Sequence, residues 1–98
     1  YPAEVEAVLE RHPDVEEVAV IGLSDDQWGQ RVTAVAVRSA TMDTGASDAE
    51  LAARLVDAAR DDLSAYKVPR RVHVIDSLPR NTMGKVDKAE LRRTFGGG

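Results

Sequence analysis

The sequence predicts an α+β fold, a small three-stranded sheet with helices packed on it, and three observations carry that expectation. Residues 18–21 (VAVI) form a continuous apolar run rich in β-branched side chains, and RVTAVAVR, residues 31–38, reads as a second strand. Runs of strand length without polar alternation belong to strands buried on both faces. Between them and a third strand-like run, RRVHVID at residues 70–76, lies a capping-box pattern, Ser47 with Glu50 three residues on, ahead of an apolar stripe at helical spacing. The resulting order is helix, two strands, helix, strand, helix, enough for one sheet covered by helices.

The first helix is read from YPAEVEAVLERHP. Pro2 suits a first-turn position, Glu4 and Glu6 complement the positive helix N-terminus, Val5, Val8 and Leu9 share a face, and Pro13 closes the segment. The first strand, VEEVAVIGL, gives way to SDDQWGQ (residues 24–30), expected as a loop with Gly29 as its turn residue. So short a connection makes the next strand an antiparallel neighbour. Residues 41–46 read as a polar link. The capped helix carries Leu51, Leu55, Ala58, Ala59 and Leu63 on its stripe, and SAYKVP leads from it to the third strand, where Val72 and Val74 alternate with His73 and Ile75. Asp87 and Glu90 repeat a capping pattern before a short last helix with Leu91 and Phe95. Residues 1–95 are expected to form the domain and residues 96–98 a flexible glycine tail.

Composition narrows the function. The chain has 98 residues, 43% hydrophobic and 31% charged, with a net charge of −4. That is ordinary globular material without the basic footprint of a nucleic-acid binder. No apolar run approaches the roughly 20 residues needed to span a bilayer, and no signal peptide is legible. The start, Tyr1-Pro2, reads like a cut inside a longer polypeptide. Cysteine is absent, which removes thiol chemistry and cysteine-based metal sites and fits a cytoplasmic protein. His12 and His73 lack ligand-like spacing, so no metal site is expected. His12 reads as a cation at a helix C-terminus, and His73 as packing on a helix or facing solvent. Acidic pairs at helix starts read as caps. Trp28-Gly29 reads equally as an interface anchor or as a side chain closing the edge of a thin core.

The stretch that offers chemistry is LPRNTMGKVDKAEL, residues 78–91. Pro79 limits the strand's continuation, Gly84 frees the backbone beside Lys85, and residues 80–86 become an exposed loop. A phosphate-cradling P-loop is excluded, because Pro79 stands where its first glycine belongs and Val86 where its magnesium-binding hydroxyl belongs. Two readings stay open from the residues alone. Arg80, Lys85 and Lys88 are solvated surface charge, or the loop offers a mobile cation to an anionic ligand, a role suited to lysine's compact charge on a flexible stem.

PRNTMGKVDK resembles the C-terminal signature of the adenylate-forming superfamily of acyl-CoA synthetases, peptide-synthetase adenylation domains and luciferases. YPAEVE resembles the segment after that superfamily's interdomain hinge. HPDVEEVAVIGLSDDQWGQRVTAVAV and LSAYKVPRRVHVIDSLPRN are similar to the passages that follow, so the likeness covers nearly all of residues 1–95 in order. It implies a C-terminal lid domain that swings between two orientations beside a large N-terminal domain. It also implies ATP, coenzyme A and Mg2+, bound mainly by that larger domain. The reaction implied joins a carboxylic acid to coenzyme A, giving AMP and pyrophosphate.

On this resemblance Lys85 is the catalytic lysine of acyl-adenylate formation, with Gly84 and Arg80 supporting its loop. Lys67, Val68, Pro69 and Arg70 match a region bordering the nucleotide end of coenzyme A, beside the plainer reading of a basic turn before a strand. The wording is nearest to malonyl-CoA or fatty-acid-CoA ligases and favours a freestanding ligase, inactive as this fragment alone. A lysine acetyltransferase acting on Lys85 is implied as a regulator. The competing expectation is a standalone binding module that shares the fold without turnover.

Overall fold

The computed structural model describes residues 2–25, 29–40 and 45–96. The elements are α1 (Pro2–Glu10), β1 (Val15–Asp25), β2 (Gly29–Arg38), α2 (Asp48–Asp62), a 3-10 turn (Ala65–Lys67), β3 (Arg71–Ile75) and α3 (Lys88–Gly96). The expected α+β fold with a three-stranded sheet is present, in the order β1-β2-β3.

Each element follows from local chemistry. Pro2 starts α1, Glu4 sits in its first turn, and Val5 and Leu9, one turn apart, are buried. The chain then turns, with His12 N–H bonding the Leu9 carbonyl at 3.1 Å and Val15 N–H the His12 carbonyl at 3.2 Å. β1 and β2 pair antiparallel from Val15↔Arg38 to Asp25↔Gly29. This hairpin is longer than expected, since Ser24 and Gln30, read as loop, pair as strand. The backbone ladder continues where side chains turn polar and exposed, because pairing needs no apolar residue. Gly29 supplies φ +79° at the end of the turn. Trp28 lies outside the described residues.

The capping box of α2 is complete: Ser47 Oγ accepts the Glu50 N–H at 3.1 Å, and the Glu50 carboxylate accepts the Ser47 N–H. This helix carries the chain across the sheet so that β3 runs parallel to β2, with Thr33↔Arg71 and Val35↔His73 in register. Before α3, the Asp87 carboxylate accepts the Glu90 N–H at 3.0 Å, as the second capping pattern predicts. The last helix runs through Gly96, one residue into the stretch expected as a tail, and residues 97 and 98 lie outside the described residues.

The sheet is buried on both faces. Val18, Val20, Val32, Ala34 and Ala36 pack with Val5 and Leu9 of α1 and with Leu51, Leu55 and Ala59 of α2. The alternate residues Ala19, Ile21, Leu23, Val35 and Val37 pack with Leu78 and Leu91, and with the half-buried Ile75, Val86 and Phe95. Two cores explain the unbroken apolar runs: every side chain of these strand centres, inward or outward, meets a covered face. They also give the domain two distinct sides, α1 with α2 on one and α3 on the other.

Candidate functional site

The segment between β3 and α3 is a closed turn. Leu78 is buried under α3, and the Pro79 carbonyl accepts the Asp87 N–H at 2.8 Å. Arg80 and Val86 form an antiparallel bridge inside that bond. Within it, Asn81 N–H bonds the Lys85 carbonyl at 2.8 Å and Gly84 N–H bonds the Asn81 carbonyl at 3.0 Å. The Asn81 side-chain oxygen accepts two more backbone donors, Met83 N–H at 2.9 Å and Lys85 N–H at 3.1 Å. Gly84 takes φ +82°, which closes the turn in a conformation that side chains with a Cβ disfavour. The exposed loop expected at residues 80–86 is therefore a stapled hairpin whose feet, Leu78 and Val86, are anchored in the α3-side core.

Arg80 adds a tertiary tie. Its Nη1 donates to the Gly84 carbonyl at 2.9 Å, and its Nη2 pairs with Glu17 Oε1 on β1. Lys88 Nζ sits 2.9 Å from Glu6 Oε2 of α1. Lys85 is exposed at the end of the turn, and among the described residues its ammonium has no ion-pair partner. Met83, beside it in the turn, is 78% exposed. The sequence reading passed over Asn81 and Glu17. Asn81 carried a signal, since asparagine side chains bond the backbone two residues on in turns. Glu17's partner is 63 residues away and had none.

The segment at residues 67–70 lies on the opposite side. Lys67 ends the 3-10 turn, its Nζ 2.8 Å from Glu4 Oε2 and 5.5 Å from the centre of the Tyr66 ring. The hydrogen bond to Glu4 holds the Lys67 ammonium above its ordinary pKa, against a smaller opposing effect of burial. Val68 is half-buried against the α1–α2 core, and Pro69 is buried. Arg70 donates its backbone N–H to the Val32 carbonyl at 2.8 Å, with its side chain exposed. Val68, Pro69 and Arg70 line an open groove of about 480 Å³ together with Val56, Arg60 and Leu63. Of the four residues expected at coenzyme A, two are thus turned inward. Lys67 is already engaged by a carboxylate.

His12, expected as a helix-end cation, accepts the Asp14 N–H through Nδ1 at 3.2 Å. His73 stacks on Phe95 with ring centres 4.2 Å apart. Burial lowers its pKa, and the nearby Arg71 and Arg31 charges lower it further. Among the described residues no group of three or more His, Asp or Glu side chains is placed to hold a metal.

A parallel-crossed sheet with helices on both faces, and a lysine carried on a stapled turn before the last helix, defines the small lid domain of adenylate-forming enzymes. The chain belongs to the AMP-binding enzyme C-terminal domain family, whose profile matches residues 4–85. A 2-succinylbenzoate–CoA ligase of Geobacillus kaustophilus is 46% identical over 93 residues, covering 95% of this chain and 18% of that ligase. The mitochondrial malonate–CoA ligase of Homo sapiens is 45% identical over 92 residues, 94% of this chain and 15% of its own length. Among solved structures, ATP-bound MatB from Rhodopseudomonas palustris superposes with a TM-score of 0.85 at 39% identity, over 99% of this chain and 18% of that one. The chain therefore spans less than a fifth of the length of these relatives.

Proposed function

We propose that this domain is the lid of an AMP-forming acid–thiol ligase, an acyl-CoA synthetase, and that Lys85 is its adenylation lysine. The observation that carries the reading is an asymmetry among the chain's three lysines. Lys67 is paired with Glu4 and Lys88 with Glu6, whereas Lys85, on the stapled turn, has no carboxylate partner among the described residues. A charge held out on a rigid base and left unneutralised suits an anion supplied from outside.

In this reading the turn is carried into a cleft of a large N-terminal domain that binds ATP, Mg2+ and the acid. The carboxylate oxygen attacks the α-phosphorus of ATP, the bond from that phosphorus to the α,β-bridging oxygen breaks, and acyl-adenylate and pyrophosphate result. The Lys85 ammonium lies between carboxylate and phosphate oxygens and offsets charge that builds up at phosphorus. Preorganised positive charge of this kind contributes about 10²–10³ in rate. Bound magnesium would supply further phosphate neutralisation from the larger domain.

The second half-reaction, displacement of AMP by the coenzyme A thiol, is assigned to the other side of the domain. Arg70 and the groove beside Pro69 lie on the α1–α2 side, opposite the lysine turn, which supports a lid that presents one side per half-reaction. The proposed acid is malonate or a fatty acid, in line with the relatives' names. No helix among the described residues is long and apolar enough to cross a membrane, and a cytoplasmic location is proposed. The exposed Lys85 is also the proposed target of a lysine acetyltransferase, whose product would lack the charge.

Lys85→Ala in the complete polypeptide tests the assignment. Acid-dependent pyrophosphate exchange is expected to fall by about 10²–10³, while thioester formation from supplied acyl-AMP survives. Unchanged exchange would refute the role of Lys85.

A further inference from the structure

The sequence Val15-Glu16-Glu17-Val18 places two acids between two valines, which breaks strand alternation. The structure resolves this as a β-bulge. Val15 pairs with Arg38 and Glu17 with Val37, so β1 holds one residue more than β2 across that step. The extra residue changes which side Val15 faces. Val15 joins Val18 and Val20 in the α1–α2 core, although it is an odd number of residues from Val18. Glu17 falls into line with Ala19, Ile21 and Leu23, which face α3. Glu17, the first residue of the regular register beyond the bulge, thereby presents a carboxylate on the side on which the lysine turn is seated.

That carboxylate reaches the turn through one guanidinium. Glu17 Oε1 pairs with Arg80 Nη2, and Arg80 Nη1 donates at 2.9 Å to the Gly84 carbonyl, the carbonyl of the peptide bond that leads into Lys85. The planar fork of arginine fixes the direction of both contacts. The Asn81 bonds shape the turn internally, and the Glu17–Arg80 contact ties its tip to the sheet. The paired side chains are 37% and 43% exposed, so the pair adds little to global stability. Its consequence is where the turn points. From this geometry we infer that Glu17 is a positioning residue that aims Lys85 through Arg80. The inference rests on the adenylation role proposed for Lys85.

The test uses the complete polypeptide with Glu17→Gln, Arg80→Gln, the double substitution and Lys85→Ala. Glu17→Gln is expected to lower kcat for acid-dependent pyrophosphate exchange about tenfold, since small displacements of a reacting group cost rate steeply. KM for acid and ATP, the thermal midpoint and thioester formation from supplied acyl-AMP are expected to stay at wild-type values. The double substitution should be no slower than Arg80→Gln alone. If Glu17→Gln leaves exchange intact while Lys85→Ala abolishes it, the positioning role is overturned and the assignment of Lys85 stands. Independent, multiplying losses in the double substitution, or a parallel loss of both half-reactions with a lowered thermal midpoint, also overturn it. If Lys85→Ala itself has no effect, the underlying assignment fails first.

Discussion

Glu6 Oε2 lies 2.9 Å from the Lys88 ammonium, and the same oxygen accepts the Val20 N–H at 2.8 Å. One carboxylate therefore wraps the outer edge of β1 and links α1, on one side of the sheet, to α3 on the other. It also satisfies a backbone donor that no strand pairs. Glu6→Ala leaves that donor without its partner and is expected to cost about 1–3 kcal/mol. Glu6→Gln keeps an acceptor and loses only a partly exposed ion pair, costing less than about 1 kcal/mol. Urea denaturation of the two variants checks the order, and equal losses would show that the edge bond contributes nothing.

Gly84 carries φ +82°, and a Cβ placed there meets no atom within 4 Å. The cost of substitution is therefore backbone conformation alone, about 1–2 kcal/mol for alanine. Asparagine, which visits this region more readily, should cost less. Pyrophosphate exchange is expected to rank Gly84 above Gly84→Asn above Gly84→Ala, with global stability following the same order within about 1–2 kcal/mol. A steric origin would instead make the larger asparagine the worse of the two.

The lowered pKa of His73 sets a pH dependence. Folded and unfolded chains are both neutral at this residue above the ordinary histidine value near 6.5. As pH falls below it the unfolded chain takes up the proton first, so stability drops down to the lower folded pKa. His73→Phe should keep packing on Phe95 and flatten that part of the curve. Urea midpoints for both proteins between about pH 5 and 8 give the comparison, and identical slopes would exclude the residue.

The two cores should loosen different things. Leu55 and Leu91 are both almost fully buried, in the α1–α2 and α3 cores respectively. Leu→Ala at either is expected to cost about 2–5 kcal/mol. Only Leu91→Ala should speed hydrogen exchange of the Asn81 and Asp87 amides ahead of global unfolding, because the turn stands on its core. Matching acceleration in both variants would mean that the domain opens as one unit.

Much of the architecture was legible in local sequence. The β-branched runs, the Ser47–Glu50 box, the Asp87 cap and the turn glycines at 29 and 84 are decided by residues a few positions apart. Short-range sterics and hydrogen bonding act there without reference to the rest of the chain. The hairpin's true length was not legible, because Ser24 and Gln30 pair through backbone groups that every residue carries.

What the sequence determined by itself was the order of elements and the placement of Lys85 on a glycine-bearing loop ahead of the last helix. Tertiary structure alone decided which charges are engaged. Glu4 claims Lys67, Glu6 claims Lys88 and Glu17 claims Arg80, each across a wide sequence separation. Strand alternation put Glu17 in line with Ala19, but only the packing of α3 and the turn before it brought Arg80 to that side. Such pairings depend on how a folded sheet brings distant side chains within a few ångströms, and composition and spacing hold no record of that distance.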